Sequence, residues 1–333
     1  MCDRTDRLVA EIVGGDRRSV ARAITVVEGK GPAAAALIRS VYPHSGKASI
    51  IGVTGSPGVG KSTLVDQATT ILRSRQRTVG VLAVDPTSPF SGGAVLGDRL
   101  RMQLHAPDPG VFVRSMATRG KLGGIASASS DAAVILDAAG FDVIILETVG
   151  VGQAEVEVSS ASDMTIVVAM PGAGDGVQAL KAGLMETADL FVVNKSDHQG
   201  ADRSVMEIES MLELREPGPE EWRPPVLQTQ ATSGEGVIDL VDAIDRFIAR
   251  TASLERRRRG RAEFRLRQVV SAKLIERAES DALKPGVYDR LIDQVVDTTV
   301  DPYTAAEEIV GLVLAASKTA PEIRKKISNV ERG

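Results

Sequence analysis

Residues 55–63 read Gly55-Ser56-Pro57-Gly58-Val59-Gly60-Lys61-Ser62-Thr63. They follow the apolar run Ile50-Ile51-Gly52-Val53-Thr54 and precede Leu64-Val65-Asp66-Gln67-Ala68. The first run reads as a strand and the second as the opening of a helix. Strand, glycine-rich turn and Lys-Ser at a helix start form the phosphate-binding P-loop pattern. Glycines let the backbone wind tightly, so successive N–H groups point at one polyphosphate, and the helix N-terminus adds its positive end. Each residue from Gly55 to Thr63 is a candidate nucleotide contact. Lys61 would reach the β- and γ-phosphates, and the Ser62 hydroxyl would ligate Mg²⁺.

Outward from this stretch, strands and helices alternate from residue 49 to about 250. The pattern predicts strands at 49–54, 78–85, 111–116, 142–148, 164–170, 190–194 and 225–229. It predicts helices at about 61–75, 125–139, 176–188, 202–214 and 236–250. Val79-Gly80-Val81-Leu82-Ala83-Val84 and Val143-Ile144-Ile145-Leu146 are continuous apolar runs, as parallel strands covered on both faces require. The expected fold is α/β: a P-loop NTPase with a doubly wound, mostly parallel sheet and helical N- and C-terminal extensions. The expected division is a helical segment at 1–46, a nucleotide-binding domain at 47–250 and a helical arm at 251–333. In that arm the basic run Glu255-Arg256-Arg257-Arg258-Arg259-Gly260-Arg261 reads as a solvated helix face, or as an arm that docks a partner or a second copy. Helices are expected there at about 287–297 and 303–316.

Composition narrows the function classes. The 333 residues carry 43% hydrophobic but only 3% aromatic residues, so the core is aliphatic. A net charge of -4 gives no electrostatic case for nucleic acid as a partner. Cys2 is the only cysteine, which excludes an intramolecular disulfide and a cysteine-cluster metal site. The polar start Met1-Cys2-Asp3-Arg4 has no signal-peptide core, and no apolar run reaches the ~18 residues that span a bilayer. A cytoplasmic setting without a membrane partner is the expectation.

The base is read from Phe191-Val192-Val193-Asn194-Lys195-Ser196-Asp197, an apolar strand ending in N-K-x-D. The Asp197 carboxylate can accept from both N1–H and the 2-amino group of guanine; adenine lacks that donor pair and would leave the acid unpaired. The Lys195 stem would lie over the base, and Asn194 would tie loops together. Gln230-Ala231 is the candidate last guanine loop, with a backbone N–H for the guanine O6. GTP and GDP are therefore the expected ligands.

Acids at predicted strand ends give the metal candidates. Asp85 is followed by a Gly/Ser/Pro-rich stretch and Asp98, and Glu147-Thr148-Val149-Gly150 matches the D-x-x-G element that senses a γ-phosphate, with Glu for Asp. Ser62, Asp85, Asp98 and Glu147 are the Mg²⁺ candidates, since that ion takes few, hard oxygen ligands. The position after Gly150 is Val151, which cannot orient water as the glutamine of Ras-type enzymes does. Slow intrinsic hydrolysis, accelerated by a partner, is expected. Partitioning-type ATPases carry a lysine where this chain has Ser56, which disfavours that class. Gly172-Ala173-Gly174-Asp175-Gly176, running on to Lys181, reads as a mobile switch segment.

Taken together, these blocks resemble the MeaB/ArgK/MMAA family, the GTPases associated with methylmalonyl-CoA mutase. The resemblance rests on GSPGVGKST at 55–63, VDPTSPFSGGAVLGDRLRM at 84–102, ETVGVGQAEVEV at 147–158, NKSD at 194–197 and WRPPVL at 222–227. It implies a GTP-hydrolysing chaperone of an adenosylcobalamin-dependent acyl-CoA mutase, gating cofactor loading and protecting or reactivating the mutase, with an adenosyltransferase as a further partner. It also implies catalytic roles for Lys61, Glu147 and Lys181, and a homodimer formed through the C-terminal helices. Two other classes stand against it. A metal-insertion GTPase would be expected to cluster Cys or His, whereas Cys2, His44, His105 and His198 are scattered. A transport-linked kinase would need a phosphoryl acceptor site to which no residue here points.

Overall fold

Strand β1 (Ser49–Thr54) runs into the glycine-rich turn, and every one of its side chains is buried. In the computed structural model, which describes residues 2–86, 105, 107–118, 124–148, 153–172, 184–214, 222–278 and 286–318, β1 sits inside a seven-stranded sheet. The other strands are β2 (Val79–Pro86), β3 (Val111–Thr118), β4 (Val143–Thr148), β5 (Met164–Ala169), β6 (Leu190–Asn194) and β7 (Val226–Thr229). Their order is β3-β2-β4-β1-β5-β6-β7, and among the described residues every pair is parallel.

Helices α1 (Cys2–Val13), α2 (Arg17–Glu28) and α3 (Pro32–Val41) precede the sheet. Helices α4 (Lys61–Ser74), α5 (Gly124–Ala138), α6 (Gln153–Ala161), α7 (Ala201–Glu213) and α8 (Val237–Ile248) lie between or after its strands. The chain ends in α9 (Thr251–Arg277), α10 (Val287–Val296) and α11 (Pro302–Lys318). Successive strand residues point to opposite faces, and the core divides accordingly. Ile50, Ile144 and Leu146 pack on one face with Ile12, Ile24 and Leu37 of the N-terminal helices and Ile135 of α5. Ile51, Val53, Ile145 and Ile166 pack on the other with Leu64 and Leu72 of α4 and Leu240 and Phe247 of α8. Val167, Phe191 and Val193 close a smaller cluster with Ile208 of α7.

At the amino ends of the strands a single device repeats. Asp142, Asp163 and Asp189 each stand just before a strand, and each accepts from a backbone N–H at the start of the neighbouring strand. The donors are Thr78 (2.7 Å), Ile50 (3.0 Å) and Thr165 (2.9 Å), respectively. Backbone donors at a strand start would otherwise lack a ladder partner. Asp163 and Asp189 are buried, and burial pushes their carboxyl groups above the ordinary range; the Arg261 and Arg257 guanidiniums oppose that push.

Those arginines correct the reading of the basic run. Arg257 donates to Asp189 Oδ1 (2.5 Å) and Thr187 O (2.9 Å), Arg261 to Asp163 Oδ2 (3.2 Å) and Arg265 to Asp131 Oδ1 (2.5 Å). A spacing of four residues puts all three on one stripe of α9. Only the other side of the run, with Arg256 and Arg259, is a solvated face. Two further differences from the sequence reading are local. Residues 153–161 form a helix that the sequence did not announce. Of the helix expected at 176–188, the turn Leu184–Thr187 is helical, and 173–183 lie outside the described residues.

The chain forms two compact units, Met1–Arg265 and Leu266–Gly333. Within the second, Leu291 and Ala305 are buried, and Arg290 pairs with Glu308 at 2.5 Å. Among the described residues no helix is long and apolar enough to cross a membrane.

Candidate functional site

The site is assembled at the carboxyl ends of β1, β4, β6 and β7. Gly55 leaves β1 with φ 140°, and a Cβ there would collide with Val168 O, so only glycine lets the turn begin so close to β5. Gly60 closes the turn with φ 92° and caps α4; its Cβ would run into Asn194 Nδ2. Between them Pro57 and Gly58 are exposed, while Val59 is buried as the turn's apolar anchor.

Lys61 is buried, and its ammonium donates to Gly55 O at 2.6 Å and Ser56 O at 2.9 Å. These carbonyls hold it over its own loop, from which a short swing reaches an anion. Ser62 and Thr63 follow in the first turn of α4, both exposed. The Ser62 hydroxyl donates to Glu147 Oε1 at 2.7 Å across 85 residues of sequence. Glu147 itself is 4% exposed at the end of β4. Two hard oxygen donors thus meet beside the turn, a set that suits Mg²⁺. Asp85 belongs to β2 opposite Ala117 in the register, but its side chain lies outside the described residues. Asp98, Gly150, Val151 and Lys181 also lie outside them. Among the described residues no three His, Cys, Asp or Glu side chains cluster as a metal site.

Asn194 joins the loops. Its Nδ2 donates to Val59 O at 2.8 Å, and its Oδ1 accepts from Thr229 Oγ1 and Ala231 N–H, both at 3.0 Å. One buried amide therefore links the P-loop to the loop after β7, and it engages the Ala231 N–H that the sequence assigns to the base. Lys195 takes a left-handed conformation (φ 58°), which sends its chain back over the P-loop, where Nζ donates to Gly58 O at 2.8 Å. Its ammonium also lies 3.7 Å from the sulfur of Met170, a neighbour marked in the sequence only by its place after β5. Asp197 is about half exposed, with His198 Nε2 3.7 Å away, so its carboxylate is open to a ligand. Gln230 pairs with Glu235 in an isolated bridge that shapes the last loop.

A cavity of about 710 Å³ lies elsewhere, lined by Asp189, Trp222, Arg257 and Arg261 among others. It stands at the opposite, amino ends of the strands and shares no residue with the phosphate turn.

Comparison with known proteins agrees with this geometry. A family model described as methylmalonyl-CoA mutase-associated GTPase MeaB matches residues 20–282. A putative GTPase of Pyrococcus abyssi is 46% identical over 325 residues, covering 95% of this chain and 99% of the relative. The methylmalonic aciduria type A homolog, mitochondrial, of Caenorhabditis elegans is 32% identical, covering 91% and 82%. A solved LAO/AO transport system kinase matches with a TM-score of 0.70 and 28% identity, over 93% of this chain and 97% of that one. A nucleotide-binding turn, a guanine-type N-K-x-D loop joined to it, and these matches lead to one assignment: the chain is a P-loop GTPase and belongs to the MeaB family of methylmalonyl-CoA mutase-associated GTPases.

Proposed function

We propose that this GTPase is a chaperone of an adenosylcobalamin-dependent acyl-CoA mutase, gating cofactor loading and protecting or reactivating the mutase. The observation that carries the reading is the match of residues 20–282 to a family described by its association with methylmalonyl-CoA mutase. In this reading GTP is a timed signal. Lys61 and the turn from Gly55 to Thr63 hold the phosphates, and Asp197 selects guanine through its two N–H donors while Lys195 covers the base. The Ala231 N–H would share itself between Asn194 and the guanine O6.

Ser62 and Glu147 would hold Mg²⁺, with Asp85 and Asp98 as further ligands. The ion would neutralise charge developing on the phosphates. Ser62 and Glu147 fit that role as oxygen donors already 2.7 Å apart. Val151 offers no group to orient water, so hydrolysis is slow alone and the mutase completes the site, with Lys181 in the responsive segment. In this reading self-association runs through the C-terminal helices, a role supported by the apolar stripes that Leu266, Val270 and Leu274 of α9 and Ile292 and Val296 of α10 expose at helical spacing.

The test mixes the protein with candidate acyl-CoA mutases and measures GTP hydrolysis. A rise of about tenfold or more with one mutase is expected. The absence of stimulation by any of them, together with phosphoryl transfer to an acceptor, would favour the transport-kinase reading that the name of the solved LAO/AO relative suggests. For base choice, Asp197→Asn should move preference from guanine toward xanthine nucleotides, and unchanged GTP affinity would remove Asp197 from the site.

A further inference from the structure

Strands β1 and β4 are paired from Ser49↔Val143 to Val53↔Glu147, and there their ladder ends. One residue further, Thr54 leads into Gly55 and Thr148 closes β4. Each keeps only its outer neighbour, Thr54 opposite Val167 of β5 and Thr148 opposite Val84 of β2. At that point a side-chain bond replaces the ladder: Thr148 Oγ1 donates to Thr54 Oγ1 at 3.1 Å. Both residues are 0% exposed.

Side chains alternate along a strand. Val53 points to the face covered by α4, and Glu147 reaches Ser62 on that same side. Thr54 and Thr148 therefore grip the two strand ends from the opposite face, directly behind the Ser62–Glu147 contact. Burying hydroxyls costs free energy unless they are bonded, and a purely packing role in this aliphatic core would be met by the isosteric valine. What the threonine pair adds is a directional bond, which fixes the distance between two strand ends that a Val–Val contact would let slide.

We propose that Thr54 and Thr148 are a positioning pair for GTP hydrolysis. They set the spacing of the P-loop against Glu147, and so the Ser62–Glu147 geometry, without touching the nucleotide themselves. A displacement near 1 Å at reacting groups can cost about 10²-fold in rate, so one bond behind the site has leverage on kcat. The proposal rests on the GTPase activity alone and is independent of which partner the protein serves.

The test uses the full chain with Mg²⁺ and GTP, comparing Thr54→Val, Thr148→Val, the double valine variant and Thr148→Ser. Each single valine variant leaves one buried hydroxyl alone and loses stability; the double variant leaves none and melts close to the parent. A structural role would thus let hydrolysis recover in the double variant. A positioning role predicts instead that its kcat stays down roughly tenfold with KM within about twofold, while Thr148→Ser, which keeps the hydroxyl, recovers the rate. Parental kcat in the double variant, or a change confined to KM, would overturn the proposal. Should a single variant fail to fold, the double variant and Thr148→Ser decide the matter.

Discussion

Replacing Arg261 with alanine tests whether α9 is part of the nucleotide-binding fold. The Asp163 side chain is 2% exposed; it accepts from Ile50 N–H at 3.0 Å and from Arg261 Nη1 at 3.2 Å, and its Oδ1 has no hydrogen-bond partner among the described residues. Burial pushes its carboxyl up, and Arg261 is the first of the groups that hold it down, ahead of the Ile50 N–H and Arg258. Deleting Arg261 leaves a buried charge with one donor and a more distant cation. Removing one member of a buried pair costs about 3–5 kcal/mol. The low end applies here, because the Arg261 side chain is 23% exposed and Arg258 remains. A loss of about 3 kcal/mol lowers Tm by roughly 6–12 °C for a unit of this size.

The pH dependence carries a definite sign. A carboxyl whose native value is raised binds its proton more tightly folded than unfolded, so stability falls as pH rises from its ordinary range through the raised native value. Without Arg261 that native value climbs further. The deficit of Arg261→Ala should therefore be largest at neutral pH and above and shrink on acidification, as Asp163 takes up its proton. Asp163→Asn in the same background keeps an acceptor for Ile50 and removes the charge, so it should recover most of the loss. Urea unfolding at several pH values measures all three variants. A cost below about 1 kcal/mol at neutral pH, or no recovery with Asp163→Asn, would refute the argument that Arg261 neutralises a buried acid.

Other outcomes follow from single contacts. Asn194→Ala removes bonds to Val59, Thr229 and Ala231 together, and should weaken GTP binding by roughly 100-fold in a fluorescent-nucleotide titration. Gly60→Ala collides with Asn194 in a left-handed backbone, and should abolish nucleotide binding while the fold, read by circular dichroism, persists. Arg203→Ala breaks an ion pair whose side chains are 81% and 41% exposed, and should leave Tm within about 2 °C in a thermal melt.

The strands were readable because burial on both faces makes them continuous apolar runs, and β1, β4 and β6 begin and end within a residue of the pattern in the sequence. The phosphate turn was readable because its chemistry is local: glycine, lysine and serine at fixed spacing. Helix α6 was not. Glu155-Val156-Glu157-Val158 alternates with period two, yet a crossover between the parallel strands β4 and β5 calls for a helix, and topology overrides the local pattern. The arginine stripe was misread for a related reason. Its partners lie 68, 98 and 134 residues away in sequence, and a basic run judged by itself belongs in water. The signal lay in two of the partners: Ser162-Asp163-Met164 and Ala188-Asp189-Leu190 each put one acid immediately before an apolar run. An acid that recurs at strand starts caps a backbone donor and becomes buried as the sheet closes, so it demands a cation from some other element. Arg257 and Arg261 supply it to Asp189 and Asp163, Arg265 on the same stripe pairs with Asp131 of α5, and the first compact unit closes at Arg265.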